Sequence, residues 1–274
     1  MMKKLIVLSI ISTIGLCFTL FVLNGLHQND KLFEAIENND YSAAEKAIER
    51  GAWINTRDDV YSGCTSFNYN PTPLIAACDK GNFEIIKLLV ENGADVNKKD
   101  DVLDRTPLIQ TFHGGVNENR YKIAKYLVEK GADIYYQDTH DTVMSLAVMI
   151  WDRDFEETRK ESFEFVKYLI EHNVDTDCPT GRVRNVFNSA AYYGHNLVVE
   201  YLLDEEIYNI NSVDELGITA LIAAATGGHI ETVQMLLTRG ADVNIYDSYG
   251  KTACDYAIEG NYTEIADLLH FYGA

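Results

Sequence analysis

A chain of 274 residues is long enough for one or two domains with a substantial core, and an apolar content of 47% marks it as folded rather than a solvating tail. Against 23 Lys and Arg stand 42 Asp and Glu, for a formal charge of −19. That sign excludes nucleic acid and anionic lipid headgroups as charge-matched partners, and it favours basic proteins, which an acidic surface steers into contact.

The first element is an uncharged apolar run from Leu5 to Leu26, 22 residues long, behind Lys3 and Lys4. A helix needs about 20 such residues to cross hydrocarbon. The positive-inside bias then places Lys3 and Lys4 in the cytoplasm and the remainder of the chain on the far side. The run is apolar around its whole circumference, unlike a surface helix of a soluble fold. Residues 1–30 are therefore read as a signal peptide or a transmembrane anchor. Three fates stay open: cleavage near Gly15 and Cys17, retention, or lipid modification of Cys17. Residues 1–30 carry a net +1, so residues 31–274 carry −20.

Export bears on the cysteines. Outside the apolar run stand Cys64, Cys78, Cys178 and Cys254, with no CxxC among them, which removes a zinc or thioredoxin-like reading. In an oxidising compartment a Cys64–Cys78 disulfide is one reading; the other makes Cys78 and Cys254 small buried helix residues.

From residue 31 onward the chain repeats itself. Residues 72–97 read TPLIAACDKGNFEIIKLLVENGADVN and residues 219–244 read TALIAAATGGHIETVQMLLTRGADVN, and the carboxyl end follows with TACDYAIEGNYTEIADLLHFYGA. The interval from Thr72 to Gly93, from Thr219 to Gly240 and from Thr252 to Gly273 is 21 residues in each case. Each Thr is an N-cap candidate, Pro73 suits the first helical turn, and Gly81, Gly228 and Asn261 tolerate the positive φ that ends a helix. Ile85, Ile86, Leu88 and Leu89 supply an apolar face at helical spacing that one unit alone cannot bury.

These motifs resemble the ankyrin repeat family, with its TPLHxA helix start, a Gly between antiparallel helices, a leucine pair and a closing GADVN. Weaker copies begin at Thr106-Pro107-Leu108, at Thr142 and at Asn185, and LFEAIENNDYSAAEKAIERGAWIN at 32–55 is a worn first unit, seven in all. The resemblance implies an all-α solenoid of about seven repeats over residues 31–274, preceded by the transmembrane or signal helix. Ile75, Ile109, Ser145, Asn188, Ile222 and Asp255 replace the His of TPLH, so the hydrogen bond made there is expected to be missing.

Three units are stretched. The link from Asn55 to Thr72 spans 17 residues where Asn211 to Thr219 spans 8, Thr106 to Gly131 is four residues longer than the 21-residue interval, and Thr142 to Asn173 is ten longer. Insertions in repeat proteins map to loops, often on the binding face. The first carries Tyr61, Phe67 and Tyr69, and the third carries Trp151, Asp152, Asp154 and Phe155.

No nucleophile elbow, HExxH, P-loop or dinucleotide fingerprint is complete, Asp175-x-Asp177 lacks the later Gly and Glu of a calcium loop, and His195 and His229 flank inter-helix glycines. Asn261-Tyr262-Thr263, a formal glycosylation acceptor, falls in such a turn as well. No catalytic residue, metal site or cofactor is expected. What remains is a binding surface. The resemblance implies that the inter-repeat links are hairpin fingers which line a groove together with the first helices. They read KKDDVLDR at 98–105, YYQDTHD at 135–141, SVDELGI at 212–218 and IYDSYG at 245–250. The partner-binding candidates they supply are Asp100, Asp101 and Asp104; Tyr136, Asp138 and Asp141; Asp214 and Glu215; and Tyr246, Asp247 and Tyr249, with Tyr192 at the end of an inner helix. Tyrosine is a favoured anchor because its ring buries area at low entropic cost.

The expected function is therefore non-enzymatic protein binding on the periplasmic side, either free or membrane-anchored. In its sharpest form this is capture and neutralisation of a basic secreted toxin or effector by an immunity protein, a role the resemblance includes. The alternative is a membrane-tethered scaffold for an endogenous envelope enzyme. A third class, an enzyme, would need its site in the insertion at 150–162.

Overall fold

The computed structural model describes residues 2–56, 70–114, 119–138, 141–149, 156–176 and 185–274, and the side chains of all of these except 2–18, 20, 156 and 157. Among the described residues every regular element is a helix, and only isolated bridges (Gln137 with Thr142, Val213 with Thr219) add extended pairing. The described residues hold fourteen helices in seven successive pairs. The first members are α1 (Met2–Glu37), α3 (Pro73–Lys80), α5 (Pro107–His113), α7 (Val143–Val148), α9 (Val186–Tyr192), α11 (Ala220–Gly227) and α13 (Ala253–Glu259). Their partners are α2 (Tyr41–Glu49), α4 (Phe83–Glu91), α6 (Arg120–Glu129), α8 (Glu156–Glu171), α10 (Asn196–Asp204), α12 (Ile230–Thr238) and α14 (Thr263–Phe271).

The helix starts follow from the sequence. Thr72, Thr106, Thr142, Thr219 and Thr252 each occupy an N-cap, as does Asn185, and every one of these side chains accepts a hydrogen bond from the amide three residues on. Gly81 ends α3 at φ 71° and Gly228 ends α11 at φ 75°, while Asn261 takes φ 59° in the last turn. The position of the family's His behaves differently from expectation at three of its six occurrences. Ser145 and Asp255 complete capping boxes with Thr142 and Thr252, and the Asn188 amide donates to the Ile218 carbonyl at 2.8 Å. Only the isoleucines at 75, 109 and 222 leave the polar contact unmade, because their side chains are wholly apolar and buried.

The described chain divides into two compact units, 1–132 and 133–274. In the first, α1, α3 and α5 stack in order, α2 lies on α4, and Leu32, Phe33, Ile36, Leu74, Ile86 and Leu89 form the core. Burying each such side chain is worth about 1.5–3 kcal/mol, realised only because a neighbouring repeat covers it. α1 crosses residues 30 and 31 without a break. Its descent into the first repeat is fixed by three contacts. The Asn24 amide donates to the Arg50 carbonyl at 2.9 Å, the Trp53 amide donates to Asn29 Oδ1 at 2.6 Å, and Gly25 faces the Trp53 ring so closely that a Cβ there would lie 2.6 Å from it. Among the described residues no helix is long and apolar enough to cross a membrane. Most side chains of the Leu5–Leu26 run fall outside the described residues.

In the second unit α9, α11 and α13 stack, and α10 packs on α8 as α14 does on α12. The Phe187 and Tyr208 rings stack 5.3 Å apart, and Phe163 meets Tyr201 edge-on at 5.7 Å. The closing Asn of the repeat has a structural use in both units. Asn55 and Asn97 donate to the Gly93 and Gly131 carbonyls of the next repeat, and Asn211 accepts from the Asp242 amide.

Cys78 is a free, fully buried thiol, as the reading of it as a small buried helix residue expects; Cys64, its partner in the disulfide reading, and Cys178 lie outside the described residues. Burial pushes the Cys78 thiol up to about 12, and Cys254, also free and buried, is raised by burial and by Asp255. Both are inert packing residues.

Candidate protein-binding site

The hairpins at 98–105, 135–141, 212–218 and 245–250 are built around one device. A single Asp in each turns its carboxylate inward and accepts the backbone amides of its own loop. Asp100 takes Val102, Leu103 and Arg105 at 2.9, 2.6 and 3.2 Å, and Asp138 takes Asp141 at 2.6 Å. Asp214 takes Leu216 and Ile218, both at 2.9 Å, and Asp247 takes Tyr249 and Lys251 at 2.9 and 3.0 Å. These are Asx turns, in which a short carboxylate substitutes for a missing ladder.

The device sorts the candidates. Asp100, Asp138 and Asp247 are buried at 2, 7 and 3% exposure, and Asp214 is half-buried, so their carboxylates are committed to shaping the fingers. Exposed at the tips are Asp101, Asp104 and Glu215, with Tyr246 and Tyr249 at 69 and 71%. Tyr136 and Asp141 are half-buried. Asp104 holds φ 54° and pairs with Lys99 at 3.3 Å. Tyr61, Phe67, Tyr69, Trp151, Asp152 and Asp154 lie outside the described residues.

Burial opposes the charge of Asp247, but the Tyr256 hydroxyl, which donates to it at 2.6 Å, and the amides of Lys251 and Tyr249 outweigh that cost and hold its carboxyl below the ordinary carboxylate value. The same Tyr256 links the last finger to α13.

Two predicted residues, Tyr192 and Tyr249, come together in a cleft of about 510 Å³ in the second unit. Leu216 and Ile218 of one finger, Ala223 and Thr226 of α11, Lys251, and Tyr256, Glu259 and Gly260 at the end of α13 complete its lining. The Ser248 amide donates to the Leu216 carbonyl at 2.8 Å, so the two fingers at its rim are joined backbone to backbone. Sequence reasoning missed Lys251, Tyr256 and Glu259. Tyr256 and Glu259 stand three residues apart on a helix, which places them on one face, but nothing in the sequence aligned that face with a finger.

Charge is divided unevenly between the units. Residues 1–132 carry 17 Asp and Glu against 15 Lys and Arg, while residues 133–274 carry 25 against 8, a net of −17.

Against known proteins, the family model described as "Ankyrin repeats (3 copies)" matches residues 32–138 and 187–274. The stretch between those matches holds the longest insertion. Ankyrin repeat and KH domain-containing protein mask-1 of Caenorhabditis elegans is 30% identical over 233 residues, 77% of this chain and 9% of that protein. Putative ankyrin repeat protein YahD of Escherichia coli (strain K12) is 31% identical over 119 residues, 42% of this chain and 59% of its own length. The chain thus spans a small part of the first and somewhat over half of the second. The human ASB11 ankyrin repeat domain superposes with a TM-score of 0.67 at 23% identity, covering 89% of this chain and 97% of that one, which shows the fold. Repeats of this kind form protein–protein interaction modules. The chain belongs to the ankyrin repeat family.

Proposed function

We propose that this protein binds a basic protein on the extracytoplasmic side of a membrane and neutralises it, as an immunity or inhibitor protein does for a secreted toxin or effector. The observation that carries the reading is the net charge of −17 on the unit that also holds the tyrosine-lined cleft and three of the four Asx-turn fingers. A surface of that sign raises the encounter rate with a cationic partner and rejects acidic ones. Glu215, Tyr246 and Tyr249 are the exposed finger contacts of that unit. Asp101 and Asp104, exposed on the finger of the first unit, and the insertions bearing Tyr61, Phe67, Tyr69, Trp151, Asp152 and Asp154 supply further candidate contacts. No enzymatic step is assigned.

Export is carried by the Leu5–Leu26 run behind Lys3 and Lys4. The contacts of Asn24, Gly25 and Asn29 with the first repeat seat the end of that helix, an arrangement that suits retention as a tether and that cleavage near Gly15 and Cys17 would also leave in place. They also support the second reading, a tethered scaffold for an envelope enzyme, because a docked helix gives a fixed mounting.

The test is capture of envelope and secreted proteins on the immobilised chain at low salt, followed by kinetics with the protein recovered. A basic secreted protein whose activity is blocked, and whose association rate falls steeply as ionic strength rises, supports neutralisation. A resident envelope enzyme with unchanged or raised activity supports the scaffold, and a salt-independent association rate removes the charge argument.

A further inference from the structure

Between residues 185 and 274 there are 13 Asp and Glu but only two Lys or Arg, Arg239 and Lys251. Each is held by an acid: Arg239 by Asp204 at 2.5 Å, and Lys251 by Glu259 at 2.6 Å. Their settings differ, because Lys251 and Glu259 both line the 510 Å³ cleft.

Inside it the Lys251 ammonium meets both oxygens of Glu259, at 2.6 and 2.8 Å, and stands 5.2 Å from the centre of the Tyr256 ring. Tyr192 and Tyr249 line the same space, and its α11 wall, Ala223 and Thr226, has small side chains that leave room beside them. A carboxylate flanked by aromatic faces is a receptor for a cation, and here the protein supplies one from its own finger. The occupant is weakly held. The Lys251 and Glu259 side chains are 38 and 54% exposed, and an ion pair so open to water contributes little. A guanidinium suits the seat better than an ammonium, because it is planar, forks onto a carboxylate, stacks on tyrosine and is more weakly hydrated.

We propose that this cleft is a subsite for an arginine side chain of the protein partner, and that Lys251 is the internal occupant that the arginine displaces. The proposal rests on the reading of this protein as a binder of a basic protein, and it names where one such side chain enters. Glu259 accepts the guanidinium, the tyrosines cover its faces, and Lys251 swings out to solvent on its flexible stem.

The probe is the blocked tripeptide acetyl-Gly-Arg-Gly-amide, titrated into the full chain in detergent micelles while tyrosine ring resonances are followed. Tyr192→Phe and Tyr256→Phe assign the signals. The expected result is a saturable shift of the cleft tyrosines that the neutral isostere acetyl-Gly-citrulline-Gly-amide does not produce, with the lysine peptide weaker than the arginine one. Lys251→Met removes the competitor and tightens arginine binding by about two- to fivefold, and Glu259→Gln weakens it by about fivefold or more. Both residues are partly exposed, and thermal melts of the two variants confirm that each is folded. Equal shifts with citrulline, an equal response to lysine, or unchanged affinity in Lys251→Met overturn the proposal. The captured protein separates the two failures. If it binds Lys251→Met and Glu259→Gln as it binds the wild type, the subsite fails and the protein-binding reading stands. If no basic protein is ever captured while the peptide still saturates the cleft, the functional reading fails and the subsite stands.

Discussion

Ser162 Oγ lies 2.9 Å from His195 Nε2 with both side chains buried, tying α8 of the fourth repeat to the residue that opens α10 of the fifth. The serine hydroxyl also donates to the Ala147 carbonyl at 3.0 Å, so the histidine donates to it from Nε2. Burial, and then the charge of Arg159, lowers His195 to about 4. The pair has the residue types of a nucleophile and its base, but at 0 and 1% exposure no substrate reaches it. Its consequence is for stability.

Acid should therefore loosen this joint. The unfolded histidine titrates at its ordinary 6.5 and the folded one near 4, so the contribution is complete above pH 6.5 and is lost as pH falls toward 4. Linkage gives a loss of about 2 kcal/mol between pH 7.5 and 5, approaching about 3 kcal/mol below pH 4. Urea unfolding at pH 7.5 and 5 measures it. In His195→Gln, which keeps a donor for Ser162 but cannot titrate, the difference between the two pH values should shrink by about 2 kcal/mol. An unchanged difference would show that His195 is protonated in the native state.

The helical repeats were legible because their signals are local. A Thr at the cap and a Gly or Asn at positive φ 9 residues later, as at Thr72 and Gly81, fix a helix whatever surrounds it. Asp100, Asp138, Asp214 and Asp247 were legible as acids in fingers but not as inward-facing acids, because their partners are amides of the same loop and carry no side-chain signature. Lys251 and Glu259 meet through the fold of the last finger over α13, at a separation with no helical or strand periodicity. Asn188 shows the same limit, for its acceptor lies 30 residues away.

At Gly25 the helix of the apolar segment touches the Trp53 ring, and only a hydrogen fits between them. Gly25→Leu should unseat the end of α1 from the first repeat at a cost of about 1–3 kcal/mol, the usual penalty for overpacking. In a Trp151→Phe background Trp53 is the sole tryptophan, so its emission reports the seat directly. A red shift at unchanged helical content is expected. Unaltered emission and stability would mean that α1 does not dock there in solution.

Asn188 is wholly buried and donates to the Ile218 carbonyl of the following repeat. Asn188→Ala leaves that carbonyl without its donor and opens a small void, for about 2–3 kcal/mol of lost stability. Denaturant titration of the variant checks it, and a cost below about 0.5 kcal/mol would show that water replaces the amide without penalty.

Tyr246 and Asp247 are sequence neighbours in one finger, with 69 and 3% exposure, and they should separate binding from folding. Asp247 accepts two loop amides and the Tyr256 hydroxyl, so Asp247→Ala removes the centre of the finger and should cost about 2–4 kcal/mol of stability. Tyr246→Ala should leave stability within about 0.5 kcal/mol. If the finger tip is an anchor, the same change weakens partner affinity by about 1–3 kcal/mol. Thermal melts and calorimetric titration on the two variants read both quantities. Loss of stability in Tyr246→Ala would assign that ring to the fold, and unchanged affinity at full stability would move the interface off the last finger and onto the insertions.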